Sequence, residues 1–143
     1  MDGIDLIKES EGCRLQSYKC PAGVWTIGWG TTKYEDGSKV SKNDEITQDK
    51  ADGLLYSEIS RIRQSEKFKA MVLPDLSETA VCSLIYNVGE GSFYKSSLYK
   101  AICNRDYLNI MHNWDWIKAG GNVLLGLAKR RASELAIFME GIK

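Results

Sequence analysis

Apolar residues recur at helical spacing along most of the chain and alternate in one stretch near its start. Within residues 3–11, Ile4, Leu6 and Ile7 share helical spacing with Glu11, Asp2 and Asp5 lie near the beginning, and Gly12 stands where a left-handed terminating residue belongs. From Arg14 the period shortens: Leu15, Ser17 and Lys19 alternate, Pro21-Ala22-Gly23 reads as a turn, and Val24, Trp25, Thr26 and Ile27 follow. This pattern predicts a β-hairpin. Gly28 and Gly30 flank Trp29 and mark a bulge or a close backbone approach. A third short strand is expected over residues 32–34, closed by the turn Glu35-Asp36-Gly37-Ser38.

Helical periodicity then takes over. Thr47 reads as an N-cap, and Ala51, Leu54, Leu55, Ile59 and Ile62 line one face of a helix running to about residue 67. Its other face is charged through Asp52, Glu58, Arg61, Arg63 and Glu66. A helix of about 20 residues spans about 30 Å, enough to link a small β-containing lobe to the rest. Pro74 interrupts, and Asp75 with Glu78 matches the D-x-x-E form of a capping box. The next helix, carrying Ala80, Val81, Leu84, Ile85 and Val88, is apolar enough to centre a core and ends at Gly89. Short helices are expected over 96–103 and 107–117, a break at Gly120-Gly121, and a final amphipathic helix over 123–139. Arg130, Arg131 and Glu134 read as an ion-pair set on the surface of that helix, Trp114 and Trp116 as core, and Cys82 and Cys103 as buried thiols.

Composition narrows the functional classes. A chain of 143 residues is most simply one domain that can bury a core without disulfide or metal staples. No run approaches the roughly 18 apolar residues of a membrane span, and the first ten residues lack a basic-then-apolar leader, so synthesis in the cytosol without membrane insertion is expected. Net charge is zero, which argues against a nucleic-acid partner, although residues 1–94 carry −4 and residues 95–143 carry +4. The four cysteines, Cys13, Cys20, Cys82 and Cys103, have no CxxC spacing and are expected to be reduced. With His112 as the one histidine, neither a zinc site nor a histidine-activated nucleophile is indicated, and no metal or cofactor is expected.

The chemistry concentrates in residues 11–30, EGCRLQSYKCPAGVWTIGWG. Glu11 closes a helix beside the negative end of its dipole. Cys20 and Thr26 then add a thiol and a hydroxyl on the hairpin. Taken singly, each has a bland reading: Glu11 as a surface glutamate, Cys20 as a small buried residue or half of a disulfide, Thr26 as an ordinary strand threonine. Together, an acid, a possible base and a small hydrogen-bonding group form a kit for adding water to a glycosidic bond.

Glu11, eight residues, Cys20, five residues, Thr26, followed by T-I-G-x-G, resembles the catalytic stretch of the phage-type lysozymes, the endolysin family that includes the lysozyme of the T-even bacteriophages. S-L-I-Y-N-V-G at 83–89, Lys95-Ser96-Ser97-Leu98, W-I-K-A-G-G at 116–121 and G-L-A-K-R-R-A-S-E at 126–134 extend the resemblance through nearly the whole chain in order. It implies an α+β, mostly helical, two-lobed lysozyme-like fold within a single domain over 1–143. A small β-sheet lobe would occupy about 12–46, a long linking helix about 47–67, and a helical lobe about 68–143 together with 1–11, with the glycan cleft between the lobes.

The implied activity is hydrolysis of the β-1,4 bond between N-acetylmuramic acid and N-acetylglucosamine in peptidoglycan, with inversion and without a cofactor. Glu11 would be the general acid, Cys20 the base or nucleophile, and Thr26 would position the water. The family often has aspartate at position 20, and a free thiol of pKa near 8.5 is only a few per cent ionised at pH 7 unless its neighbours lower that value. Thr31 replaces a family histidine. Thr32, Tyr86, Asn87 and Ser97 align with substrate-contacting positions; read from the chain alone, Tyr86 also fits a core and Asn87 a helix end. The implied partners are peptidoglycan glycan strands and a holin for release. The expected state is a monomer held in the host bacterial cytoplasm until release to the cell wall or periplasm. A lytic transglycosylase, a catalytically impaired peptidoglycan-binding module of the same fold, and a bare helical interaction domain are the competing readings.

Overall fold

The computed structural model describes residues 3–119 and 121–143, so the expectations placed on Asp2 and residue 120 lie outside the described residues. The fold is α+β and mostly helical, as expected, with small two-stranded sheets. The described chain forms two compact units, Gly3–Arg61 and Ile62–Lys143.

In the first unit, α1 (Gly3–Glu11) buries Leu6 and Ile7 and stops at Gly12, whose φ of +66° permits the left-handed turn that a side chain would resist. Antiparallel β1 (Arg14–Lys19) and β2 (Trp25–Gly28) pair with Tyr18 opposite Thr26 and Lys19 opposite Trp25; the register shifts between Arg14 and Tyr18. The other edge of β1 is covered by residues 44–46, through Ser17 N–H to the Asp44 carbonyl at 2.9 Å and Ile46 N–H to the Leu15 carbonyl at 2.9 Å. The third strand expected over 32–34 is reduced to isolated bridges, Ile27 with Thr31 and Lys33 with Lys39, around a turn closed by Gly37 N–H to the Tyr34 carbonyl. Gly28, at φ +63°, lies so close to Ala51 that an added Cβ would sit 3.3 Å from the Ala51 Cβ. Gly28 is therefore a close backbone approach rather than loop filler.

Helix α2 (Gln48–Gln64) begins as expected, with the Thr47 hydroxyl accepting the Lys50 N–H at 3.1 Å. It ends earlier than periodicity suggested, because Ser65 caps a separate short α3 (Glu66–Lys69) by accepting the Phe68 N–H. The division between the units falls inside α2.

In the second unit, α4 (Asp75–Val88) packs most extensively on α8 (Leu125–Ile142). Between them in sequence come α5 (Glu90–Tyr94), α6 (Ser97–Cys103), α7 (Tyr107–Asn113) and a hairpin of β3 (Lys118–Ala119) and β4 (Asn122–Val123). Val81, Leu84, Ile85, Phe93, Leu98, Ile102 and Phe138 are buried, with the Trp114 ring tilted against that of Phe138 at 5.1 Å between centroids. Trp116 is only half-buried.

The D-x-x-E capping box does not form: Pro74 occupies the N-cap with no side-chain bond, and Asp75 and Glu78 instead face the positive end of α4 from its first turn. Cys82 is buried as expected, but Cys103 is exposed at the end of α6. The largest revision concerns Arg130, Arg131 and Glu134. They are 8%, 2% and 0% exposed and form an internal charged cluster, not a surface one.

Candidate active site

Glu11 is placed by the helix that ends with it. Lys8, one turn earlier, anchors that helix inside the first unit: its ammonium is 3.6 Å from Asp52 and lies over the rings of Trp29 at 5.2 Å and Tyr56 at 5.6 Å. The Trp29 indole N–H donates to Asp52 at 2.8 Å, and this bond, followed by one from Gln48, holds the Asp52 carboxyl below the usual carboxylate range. One aspartate on α2 thus ties α1 to the glycine-flanked tryptophan. Glu11 itself is half-buried.

Cys20 follows the last residue of β1 and opens the turn Cys20-Pro21-Ala22-Gly23-Val24. Its N–H donates to the Val24 carbonyl at 3.0 Å, its own carbonyl accepts the Gly23 N–H at 2.8 Å, and Gly23 takes φ +80°. Proline fixes one corner and glycine permits the other, so the backbone folds back over the sulfur. The Val24 N–H, then the Ala22 N–H, and to a smaller extent the Thr26 hydroxyl, favour the thiolate and lower the Cys20 pKa, against a smaller opposing effect of burial. Cys20 is half-buried with a free thiol, and among the described residues no cysteine is in a disulfide.

Thr26 is buried, and its hydroxyl also lies 3.0 Å from the Val24 carbonyl. The Thr26 hydroxyl proton thus has two acceptors within reach, the Val24 carbonyl and the Cys20 sulfur. The cross-strand register places Thr26 on the same face of the hairpin as Tyr18.

Tyr18 is the residue that sequence reasoning passed over. Burial raises its pKa most, the negative charge of Glu11 next, and Cys20 and Cys13 add smaller contributions, while Arg14 opposes them. The Arg14 guanidinium lies over the phenol ring at 4.6 Å. The acid and the thiol are thus both within electrostatic range of one phenol. The available signal was the strand alternation itself, because Tyr18, two residues before Cys20, falls on the same face.

The remaining positions divide between the units. Thr32 is exposed in the first, its carbonyl accepting the Val40 N–H at 3.0 Å, while Thr31 is bonded through its backbone to Ile27. In the second unit Tyr86 is half-buried near the end of α4, and Ser97 is exposed as the first residue of α6, after the Ser96 cap. Asn87 is exposed, and its side-chain oxygen accepts from Arg131 at 2.9 Å. An open depression of about 450 Å³ lined by Tyr34, Glu35, Asp36, Asp44, Glu45, Ile46 and Lys50 also lies in the first unit. Its polar groups are already engaged, Tyr34 with Asp44 at 2.7 Å and Glu35 with Lys50 at 2.7 Å. Among the described residues no cluster of histidine, cysteine or carboxylate could hold a metal, and no helix is long and apolar enough to cross a membrane.

The phage lysozyme family profile matches residues 8–134. The chain is 35% identical over 142 residues to an endolysin of Acyrthosiphon pisum secondary endosymbiont phage 1, covering 95% of this chain and 94% of that one. It is 31% identical to the endolysin of Salmonella phage P22, covering 96% and 95%. Its fold is similar to that of the muramidase domain of SpmX from Asticaccaulis excentricus, with a TM-score of 0.78, 28% identity, and 96% and 94% of the two chains covered. With the family profile matching most of its length and relatives above 30% identity covered nearly end to end, the chain belongs to the phage lysozyme family and is a lysozyme-class enzyme.

Proposed function

We propose that the protein hydrolyses the β-1,4 bond between N-acetylmuramic acid and N-acetylglucosamine in bacterial peptidoglycan. Glu11 protonates the leaving oxygen, Cys20 acts as base or nucleophile on the opposite side, and Thr26 orients the attacking water. The observation that carries this reading is the turn around Cys20. Two backbone N–H groups and a hydroxyl favour the ionised sulfur, so the residue that replaces the family aspartate can carry the same negative charge. A binding-only module has no use for such a turn. Thr32 in the first unit and Tyr86, Asn87 and Ser97 in the second are the proposed contacts to the glycan, all within one lysozyme domain over residues 1–143. The enzyme works as a monomer, accumulates in the host cytoplasm, and reaches the wall when a holin-type protein opens the membrane.

The test is a turbidity assay on permeabilised Gram-negative cells. Wild type lyses them, Glu11→Gln and Cys20→Ser do not, and Cys20→Asp retains activity because it restores a negative charge at the same place. Lysis by Glu11→Gln at the wild-type rate removes Glu11 from the mechanism. Full activity in Cys20→Ser does the same for the sulfur.

A further inference from the structure

Glu11 lies between two residues that are both fastened to one patch of α2. Before it, the Lys8 carbonyl accepts the Gly12 N–H at 3.3 Å and closes the last turn of α1, while the Lys8 ammonium lies 3.6 Å from Asp52. After it, the Cys13 sulfur lies 3.6 Å from the Gln48 amide nitrogen, which also donates to Asp52 at 3.1 Å. Gln48 and Asp52 are one turn apart on the same face of α2. Ala51, beside them, is the residue against which Gly28 packs at the end of β2, and the next residue, Trp29, donates its indole N–H to Asp52 at 2.8 Å.

Three groups thus converge on Oδ1 of one aspartate: Lys8 from α1, Gln48 from its own helix, and Trp29 from the end of the strand that carries Thr26. An isolated surface ion pair would fix little. Here the Asp52 side chain is only 27% exposed, and the Lys8 ammonium is held a second time, over the rings of Trp29 and Tyr56. The last turn of a helix frays unless something holds it. Glu11 is on such a turn, and its proton has to meet a leaving oxygen at hydrogen-bond distance.

Resting on the muramidase reading, we propose that Asp52 is a positioning residue of the reaction: through Lys8 it holds the last turn of α1 where the Glu11 carboxyl can protonate the leaving oxygen. Asp52 touches no reacting atom. Its loss leaves glycan binding alone and lowers the rate only of those cleavages that need a proton donor.

The test compares two substrates on one preparation of enzyme. Purified sacculi have a sugar leaving group, which departs only with a proton. A dinitrophenyl β-glycoside of the N-acetylglucosamine–N-acetylmuramic acid disaccharide has a phenolate that departs without one. Asp52→Asn keeps an acceptor for Trp29 and removes the charge that holds Lys8. On sacculi its kcat falls by roughly 10–100-fold with KM within about twofold, as a misplaced catalytic group predicts. On the aryl glycoside its kcat stays within about twofold of wild type. Trp29→Phe keeps a ring under Lys8 but removes the N–H that aims Asp52, and it shows the same split to a smaller degree. The ratio of the two rates does not depend on the fraction of molecules folded, so a loss of stability cannot imitate the result. A wild-type kcat on sacculi overturns the proposal, and so does an equal fall on both substrates, which would mean that Asp52 supports the fold and not the acid. Glu11→Gln measured alongside separates these failures from failure of the muramidase reading. On that reading it loses activity on sacculi and keeps it on the aryl glycoside; undiminished hydrolysis of sacculi by Glu11→Gln removes the reading and the role of Asp52 together.

Discussion

Replacing Glu134 with glutamine removes one charge from the centre of the second unit and changes little else in shape. The carboxylate is 0% exposed and serves both Arg130 and Arg131, themselves 8% and 2% exposed. The glutamine oxygen can still accept from Ser83 or Trp114, but its NH₂ group turns a donor toward a guanidinium that needs an acceptor. Leaving buried charge uncompensated costs about 3–5 kcal/mol. For a chain of 143 residues, an unfolding entropy of about 0.3 kcal/mol/K converts this into a fall in thermal midpoint of about 10–17 °C. Had the three residues formed the exposed helix pairs that their spacing suggests, the loss would be about 0–1 kcal/mol, or under about 3 °C. Circular dichroism melts of wild type and Glu134→Gln at low and high salt decide between these values. The buried cluster predicts a large fall that salt barely changes. A fall under about 3 °C, or one that high salt abolishes, refutes the reasoning.

Gly141→Ala should destabilise the α4–α8 contact by about 1–3 kcal/mol, because the new Cβ would overlap the Ser77 hydroxyl oxygen and sit 2.8 Å from the Ser77 backbone nitrogen; a lower urea midpoint checks it. Alkylation of Cys20, resolved by mass spectrometry of its peptide, should accelerate with rising pH through a midpoint below that of an ordinary thiol, since the Val24 and Ala22 N–H groups favour the thiolate. Thr26→Val should move that midpoint upward by removing the hydroxyl, and an unmoved midpoint rejects the Thr26–sulfur bond. A thiol with a lowered folded-state pKa adds stability above its unfolded-state pKa and loses it as pH falls through the folded value. The same logic makes Cys20→Asp the variant whose lytic activity persists furthest into acid.

Long periodic helices were legible because burial of a stripe leaves its spacing in the sequence. Leu6 and Ile7, the Ala51–Leu54–Leu55–Ile59 face, and Val81, Leu84 and Ile85 are all buried where the pattern put them. Local chemistry was equally readable at Gly12, at the Thr47 cap, and at the Pro21-Ala22-Gly23 turn. Two-residue strands such as β3 and β4 are too short to display an alternation, and α5 is too short to display a stripe. The charged cluster escaped detection for another reason. Arg131 and Glu134 look like any exposed pair until Ser83, Trp114 and Asn87, distant in sequence, arrive to satisfy them. Tyr18 was hidden similarly, since its proximity to Glu11 depends on how the chain turns at Gly12. The Glu11–Cys20–Thr26 spacing pointed to the candidate chemistry, while the N–H groups that favour the Cys20 thiolate belong to the folded turn.

The most direct test of the central claim is to digest purified sacculi in water enriched in oxygen-18 and identify the released fragments by mass spectrometry. Hydrolysis by this enzyme should place the label on reducing ends of N-acetylmuramic acid, and Glu11→Gln should release none. Label on reducing N-acetylglucosamine, or unlabelled 1,6-anhydromuramic ends, would contradict the account.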